Sequence, residues 1–199
     1  MRGHGTQSGF DALQQVLNSH AVPFRTERIP AVSVADVVSE LNLPAVLELL
    51  YTQGGPVPSS SVPWVVEELF LFSIRELDTA QDGYRWTGPQ RRRLPTWPSN
   101  WVVIAAIVGD PFIADVDGPA VPIYFAPHGA GAWRADRVAP TVTTFLEALT
   151  RFESVLLGDF DRDVWDEDGL RPDFLRTVKG ALTELLPPAG MASFVRTLT

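Results

Sequence analysis

The sequence predicts an α+β fold: a mostly antiparallel sheet of about four to six strands covered by helices, with helical extensions at both ends. Three observations predict it. Apolar residues recur at helical spacing at the front and the back of the 199-residue chain. Between them lie short uncharged runs bounded by turn residues, the mark of strands. Those runs follow one another too closely for parallel crossovers, which need about a dozen residues or more, so antiparallel pairing is expected.

Phe10, Leu13, Val16 and Leu17 set the stripe of a first helix, with Asp11 and Gln14 placed as a capping box and Pro23 beyond its end. Ser33 is placed to cap a second helix carrying Val34, Val37, Val38 and Leu41. Pro44 suits the first turn of a third, Val46 to Tyr51, because a missing N–H costs nothing there, and Gly54-Gly55 supplies the stop. Residues 56–63, PVPSSSVP, read as a loop. Leu69 to Phe72 with Ile74, and Trp101 to Val108, read as strands apolar on both faces. Phe112–Val116 and Val121–Phe125 are two more, joined by the turn sequence Asp117-Gly118-Pro119. Val142, Phe145, Leu146, Leu149, Phe152 and Leu156 return to helical spacing, with Gly158 as the expected C-terminal cap. Asp159–Asp168 reads as a solvated connection, and a last helix runs from Pro172 until Pro187-Pro188 stops it. The expected organisation is an N-terminal helical extension over 1–39, an α+β core over 40–157, and an acidic connection with a C-terminal helical extension over 158–199, packed as one unit.

Composition excludes several functions. The chain has no cysteine, which removes disulfides, thiolate catalysis and cysteine-ligated metals. A formal charge of −8 repels phosphate backbones and anionic lipid, so neither nucleic acid nor a membrane is an expected partner. Residues 1–15 lack the apolar core of a signal peptide and no run approaches a membrane span, so a soluble, cytoplasmic protein is expected. Lys179 is the only lysine, and the richness in Ala, Val and Pro suggests a high-GC bacterial genome.

Candidate chemistry is sparse. Asp110, Asp115, Asp117 and His128 would suit a hard-metal or hydrolytic cluster, because carboxylates and imidazole are the ligands such ions take. The competing reading makes Asp110 the shaper of the Gly-Asp-Pro turn and Asp117 the start of the next, through local side-chain to backbone bonds. Asp159-x-Asp161-x-Asp163 imitates half of a calcium loop but has Val164 where Gly is needed and Leu170 where a bidentate Glu is needed. Seven acids against two arginines between 159 and 173 form a negative patch able to steer a basic partner. Arg85-Trp86 with Arg91-Arg92-Arg93 is a faint nucleic-acid footprint and reads better as a salt-bridged surface loop. There is no Gly-x-Ser-x-Gly elbow. His4 falls in a frayed terminus, His20 at the end of the first helix, and His128-Gly129-Ala130-Gly131 reads as a hairpin turn. Trp133 and Trp165 are the tryptophans placed to anchor an interface.

Leu43-Pro44, an amphipathic helix, Gly54-Gly55, then WPSNWVVIAAIVGDPFIADVDGP, VPIYFAPHGAGAW and VAPTVTTFLEAL occur in that order over roughly residues 40–157. This series resembles the SUKH superfamily, the Smi/Knr-type proteins that include fungal cell-wall-synthesis regulators and bacterial immunity proteins. The residues carrying the likeness are Pro44, Gly54, Gly55, Trp101, Gly109, Asp110, Pro111, Asp115, Tyr124 and His128; Ala45 and Gln53 depart from the family's usual acid and Asn. The resemblance implies a non-enzymatic α+β domain that binds another protein, without catalytic residues, cofactor or metal. In bacteria it implies neutralisation of a toxin, often a nuclease, whose basic domain is the expected partner. Trp133, Asp159, Asp161, Asp163, Trp165, Asp166, Glu167 and Asp168 are then the candidate partner-binding residues. Two other functions stand beside this one: a scaffold or regulator of envelope synthesis or signalling, and a metal-assisted hydrolase built on Asp110, Asp115, Asp117 and His128.

Overall fold

A computed structural model describes residues 9–128 and 133–199. The fold is α+β: six strands form one antiparallel sheet, and helices from both ends of the chain cover one face. The strands are β1 (Ser60–Pro63), β2 (Glu68–Leu71), β3 (Trp101–Ile107), β4 (Asp110–Asp115), β5 (Ile123–Phe125) and β6 (Asp136–Ala139), and they lie side by side in chain order. Every neighbouring pair is antiparallel. The helices are α1 (Gly9–Ser19), α2 (Ala35–Leu41), α3 (Ala45–Gly54), α4 (Val142–Glu153), α5 (Pro172–Leu182) and α6 (Pro188–Arg196).

The sheet has two packed faces because β3 changes phase. Val103 pairs with Ile113 and Ala105 with Phe112, which leaves Ile104 as the extra residue of a bulge. Val102, Ile104 and Ala105 therefore join the helix-covered core, while Val103 and Ile113 enter a second cluster around Trp97. Val103 lies beyond the last β2–β3 pair, Leu71 with Ala105, and the buried Gln81 amide bonds its backbone: Oε1 accepts from Val103 N at 2.9 Å and Nε2 donates to its carbonyl at 3.0 Å. Over this second face Trp97, Trp101, Tyr84 and Trp133 form an aromatic layer in which Trp97 meets Trp101 and Trp133 edge to face and Tyr84 is tilted against Trp97 and Trp133.

On the first face Trp64 ties the parts together. Its ring lies 6.3 Å from Phe112 of β4, 4.5 Å from Phe152 of α4 and 5.6 Å from Phe194 of α6. Its Nε1 donates to the Thr197 carbonyl at 2.8 Å, so the indole is satisfied while buried. α1 lies on α4 through buried Phe10, Leu13 and Leu17, and α6 lies on β6.

Several expectations need correcting. Ser33 is not a cap: it belongs to a short 3-10 turn, Ala31–Val34, and α2 starts at Ala35 with no side-chain cap. Half of the expected loop 56–63 is edge strand β1; Pro63 is tolerated there because an edge strand has one side without a ladder. β2 is not buried on both faces, since Leu69 and Leu71 are covered while Glu68 and Phe70 are exposed. Gly158 does not cap α4, because the helix widens into a π-helical turn, Ser154–Asp159, with Gly158 inside it against His20. The helix from Pro172 ends at Leu182, short of Pro187-Pro188, and the prolines instead start another, α6, with Pro188 in its first turn, where a missing N–H is harmless. β6 was not expected. His4 and the turn at Gly129-Ala130-Gly131 lie outside the described residues.

The turn between β3 and β4 is Val108-Gly109, flanked by the Ile107–Asp110 pair. Both residues have positive φ, 48° and 88°, as a type I′ hairpin requires. Gly109 suits this and a β-branched valine does not. Val108→Asn is therefore expected to raise stability by about 1 kcal/mol, read as a higher urea midpoint with an unchanged m-value.

Candidate partner-binding site

The acidic run is shaped by the chain reversal after α4. Asp161 and Arg162 both take left-handed backbone, φ 47° and 65°, and buried Val164 anchors the return. A two-stranded hairpin follows, Trp165–Asp166 paired with Gly169–Leu170, where a plain solvated connection was expected. The Asp166 carboxylate accepts from Asp168 N at 2.9 Å and fixes the tip.

Arg171 divides the acids into two groups. Its guanidinium donates to both Asp173 oxygens, 2.9 and 3.2 Å, and to Asp163 Oδ2 at 3.0 Å, and it lies 5.4 Å above Phe160. This bonding holds the Asp173 carboxyl below the usual carboxylate range. Asp163 is thus ion-paired within the chain. Asp159, Asp161, Asp166, Glu167 and Asp168 are exposed and, among the described residues, make no ion pair. They are the part of the run that is open to solvent and not ion-paired.

Trp165 is 47% exposed, and its Nε1 points to the Val65 carbonyl at 3.4 Å. That contact sets the acidic hairpin beside the end of the sheet where the β1–β2 and β3–β4 turns lie. A groove of about 520 Å³ opens at that end, between Trp64, Val66 and Glu67 of the first turn, Val108 and Asp110 of the second, and Arg196 of α6. Nothing in the sequence marked Val66, Glu67, Val108 or Arg196 as site residues. They come from three segments that only the meander and the return of α6 bring together.

Trp133 is not part of this surface. It packs half-buried in the aromatic layer, 5.2 Å from Trp97 and 5.4 Å from Tyr84. The signature residues are scaffold by position: Pro44 precedes α3, Gly54 ends it, Gly55 begins the short pairing with Thr26–Glu27, and Trp101 of β3 stacks on Tyr124 of β5 at 6.3 Å.

The carboxylates expected to suit a metal are spread along β4 and just beyond it. Asp110 begins the strand and Asp115 ends it, roughly 17 Å apart by strand rise. Asp110 does not shape its own turn. Its Oδ1 accepts from the His128 backbone N at 2.7 Å and pairs with the His128 ring, closing the loop after β5 onto the sheet and leading Pro111 into the strand. Asp115, rather than Asp117, makes the local turn bonds: its Oδ1 accepts from Asn100 Nδ2 at 2.7 Å and from Asp117 N at 3.1 Å. Among the described residues no group of three His, Asp or Glu side chains is placed to hold a metal ion.

Of the arginine cluster, Arg91 is salt-bridged, donating to Asp78 at 2.7 Å and Asp82 at 3.1 Å. Arg85 is buried against Trp86, with its ring-to-guanidinium distance 5.3 Å. Among the described residues no helix is long and apolar enough to cross a membrane. Compared with protein-family models, curated proteins and solved structures, the chain matches none.

Proposed function

We propose that the protein is a non-enzymatic binding domain, an immunity protein that neutralises a basic bacterial toxin by covering it, as its resemblance to the SUKH superfamily implies. The observation that supports this most is the exposed acidic hairpin tip, Asp166-Glu167-Asp168, which makes no direct ion pair among the described residues and lies beside half-exposed Trp165. An exposed tryptophan is a favoured interface anchor, and unpaired charge of one sign steers a partner of the opposite sign. A net charge of −8 adds long-range attraction for a basic partner.

The test is association with the toxin encoded beside the gene. Binding and protection of toxin-expressing cells are expected from the parent chain. Reversing the tip with Asp166→Lys, Glu167→Lys and Asp168→Lys together is expected to slow association about tenfold or more at low salt, with the difference shrinking as salt rises. An association rate indifferent to both charge reversal and salt sinks the steering role, and absence of any complex sinks the immunity reading.

A further inference from the structure

We propose that the groove at the turn end of the sheet is a docking slot for an extended basic segment of the partner protein, which seats one apolar side chain between Val66 and Val108 and places arginine or lysine on either side. This rests on the protein-binding reading above and states which chemistry the site selects.

The floor and walls are apolar: the Trp64 ring, Ile107 and Phe125. Val66 and Val108 stand at the mouth, 63% and 66% exposed, so two large aliphatic groups face water with little of this chain to cover them. Val108 is the more telling of the two. A β-branched residue at φ 48° costs stability, and its side chain recovers little of that by burial within the chain. What the position does supply is an apolar surface held rigidly on a two-residue turn at the rim of a cavity.

Charge chooses the flanking residues. Arg196 is already paired with Asp136 at 2.8 Å, and Asp110 with the His128 ring. Glu67 at the rim has no ion-pair partner among the described residues, and the Trp165 contact with Val65 adds the tip acids Asp166, Glu167 and Asp168 to the same side. An acidic segment or a phosphate backbone meets repulsion there, whereas a cationic segment gains attraction. A volume of about 520 Å³ exceeds one side chain and accommodates an apolar residue with its neighbours.

The probe is the capped pentapeptide Arg-Arg-Leu-Arg-Arg, titrated into the full ¹⁵N-labelled chain. The readout is the Trp64 indole N–H signal together with the amides of Val66, Glu67 and Val108. Saturable shifts at these positions are expected, with Arg-Arg-Ser-Arg-Arg and Glu-Glu-Leu-Glu-Glu binding at least tenfold more weakly. Val108→Gly is expected to weaken the first peptide about fivefold or more while raising thermal stability, and Glu67→Lys to weaken it similarly without loss of fold. The gain in stability separates loss of the slot from loss of structure. Equal binding of all three peptides, shifts confined to residues 159–168, or full binding by both variants overturns the proposal. No toxin enters this titration. A chain that takes the peptide but ignores the toxin keeps the slot and loses the immunity reading; one that binds the toxin but ignores the peptide does the reverse.

Discussion

Gly190→Ala is expected to destabilise the protein by about 3 kcal/mol, a fall in Tm on the order of 10 °C for a chain of this size. A Cβ built on Gly190 would lie 2.4 Å from the Val138 carbonyl oxygen, and that contact is with backbone of β6, which cannot turn aside as a side chain can. To relieve it α6 must lift from the sheet. Lifting it loosens Phe194, fully buried between the Trp64 and Phe152 rings, and stretches the Trp64 to Thr197 bond. Core phenylalanines contribute roughly 3 to 5 kcal/mol, so even partial loss exceeds the gain of about 1 kcal/mol or less that alanine's better helix propensity returns. Gly180→Ala in α5 is the control: its Cβ would meet nothing within 4 Å, and that variant is expected to be neutral or more stable by up to about 1 kcal/mol. Urea midpoints of the two variants against the parent check both halves, and equal midpoints would mean that α6 is not seated as described.

Legibility in the sequence followed how completely an element's environment is written in its own residues. α1, α4 and α5 each bury one stripe, so period alone located Phe10 with Leu13 and Leu17, Phe145 with Leu149, and Phe174 with Val178. α6 was hidden by its own starting signal, because Pro187-Pro188 reads equally as a stop and as a first turn. β1 was hidden by residues that usually make loops, since only pairing with β2 gives Ser60 and Pro63 a place in a sheet. β2 was over-read: Phe70 is apolar and exposed, and no local pattern separates an exposed phenylalanine from a buried one.

The site was legible in a different measure. The acidic run from Asp159 to Asp168 stands out as a sequence, and the hairpin leaves most of it exposed. What the sequence did not carry was the division of labour within it, which depends on Arg171 bending back to Asp163 and forward to Asp173. The same holds for Asp110 and His128. Both belong to the motif series, yet their pairing across the loop after β5 appears only once β4 and β5 are neighbours. The groove is further from the sequence still, because Val66, Val108 and Arg196 share nothing except their position at one end of the sheet. A meander makes that end a meeting place: the β1–β2 and β3–β4 turns both return to it, and α6 closes the side.

The second large effect concerns a group that the binding reading does not use. Glu153, the last residue of α4, is fully buried and neither carboxylate oxygen has a hydrogen-bond partner among the described residues. Burial pushes its carboxyl up to about 9; Arg162 opposes this and Glu68 adds to it. The native state therefore holds a proton there that the unfolded chain releases near its ordinary value of 4.5. Because the folded-state value is raised, the associated stability is fully present below pH 4.5 and is lost progressively as pH rises towards 9, at roughly 1.4 kcal/mol per pH unit within that window. By pH 7 the loss is on the order of 3 kcal/mol. Glu153→Leu removes both the titration and the buried unpaired oxygens, so it is expected to be more stable than the parent by several kcal/mol at pH 8 and by clearly less at pH 5. Glu153→Gln removes the titration but keeps a buried polar group, and falls between. The measurement is the difference in unfolding free energy between parent and variant at pH 5, 7 and 8.5, in which titrating groups that do not interact with Glu153 cancel. A difference that does not grow with pH would show that Glu153 is ionised in the folded chain, and that Arg162 rather than a bound proton accounts for its burial. The position matters for the binding surface as well. Glu153 leads directly into the π-helical turn that carries the chain to Asp159 and the acidic hairpin, so a parent chain near pH 8 is expected to exchange the amides of residues 154–170 faster than Glu153→Leu does.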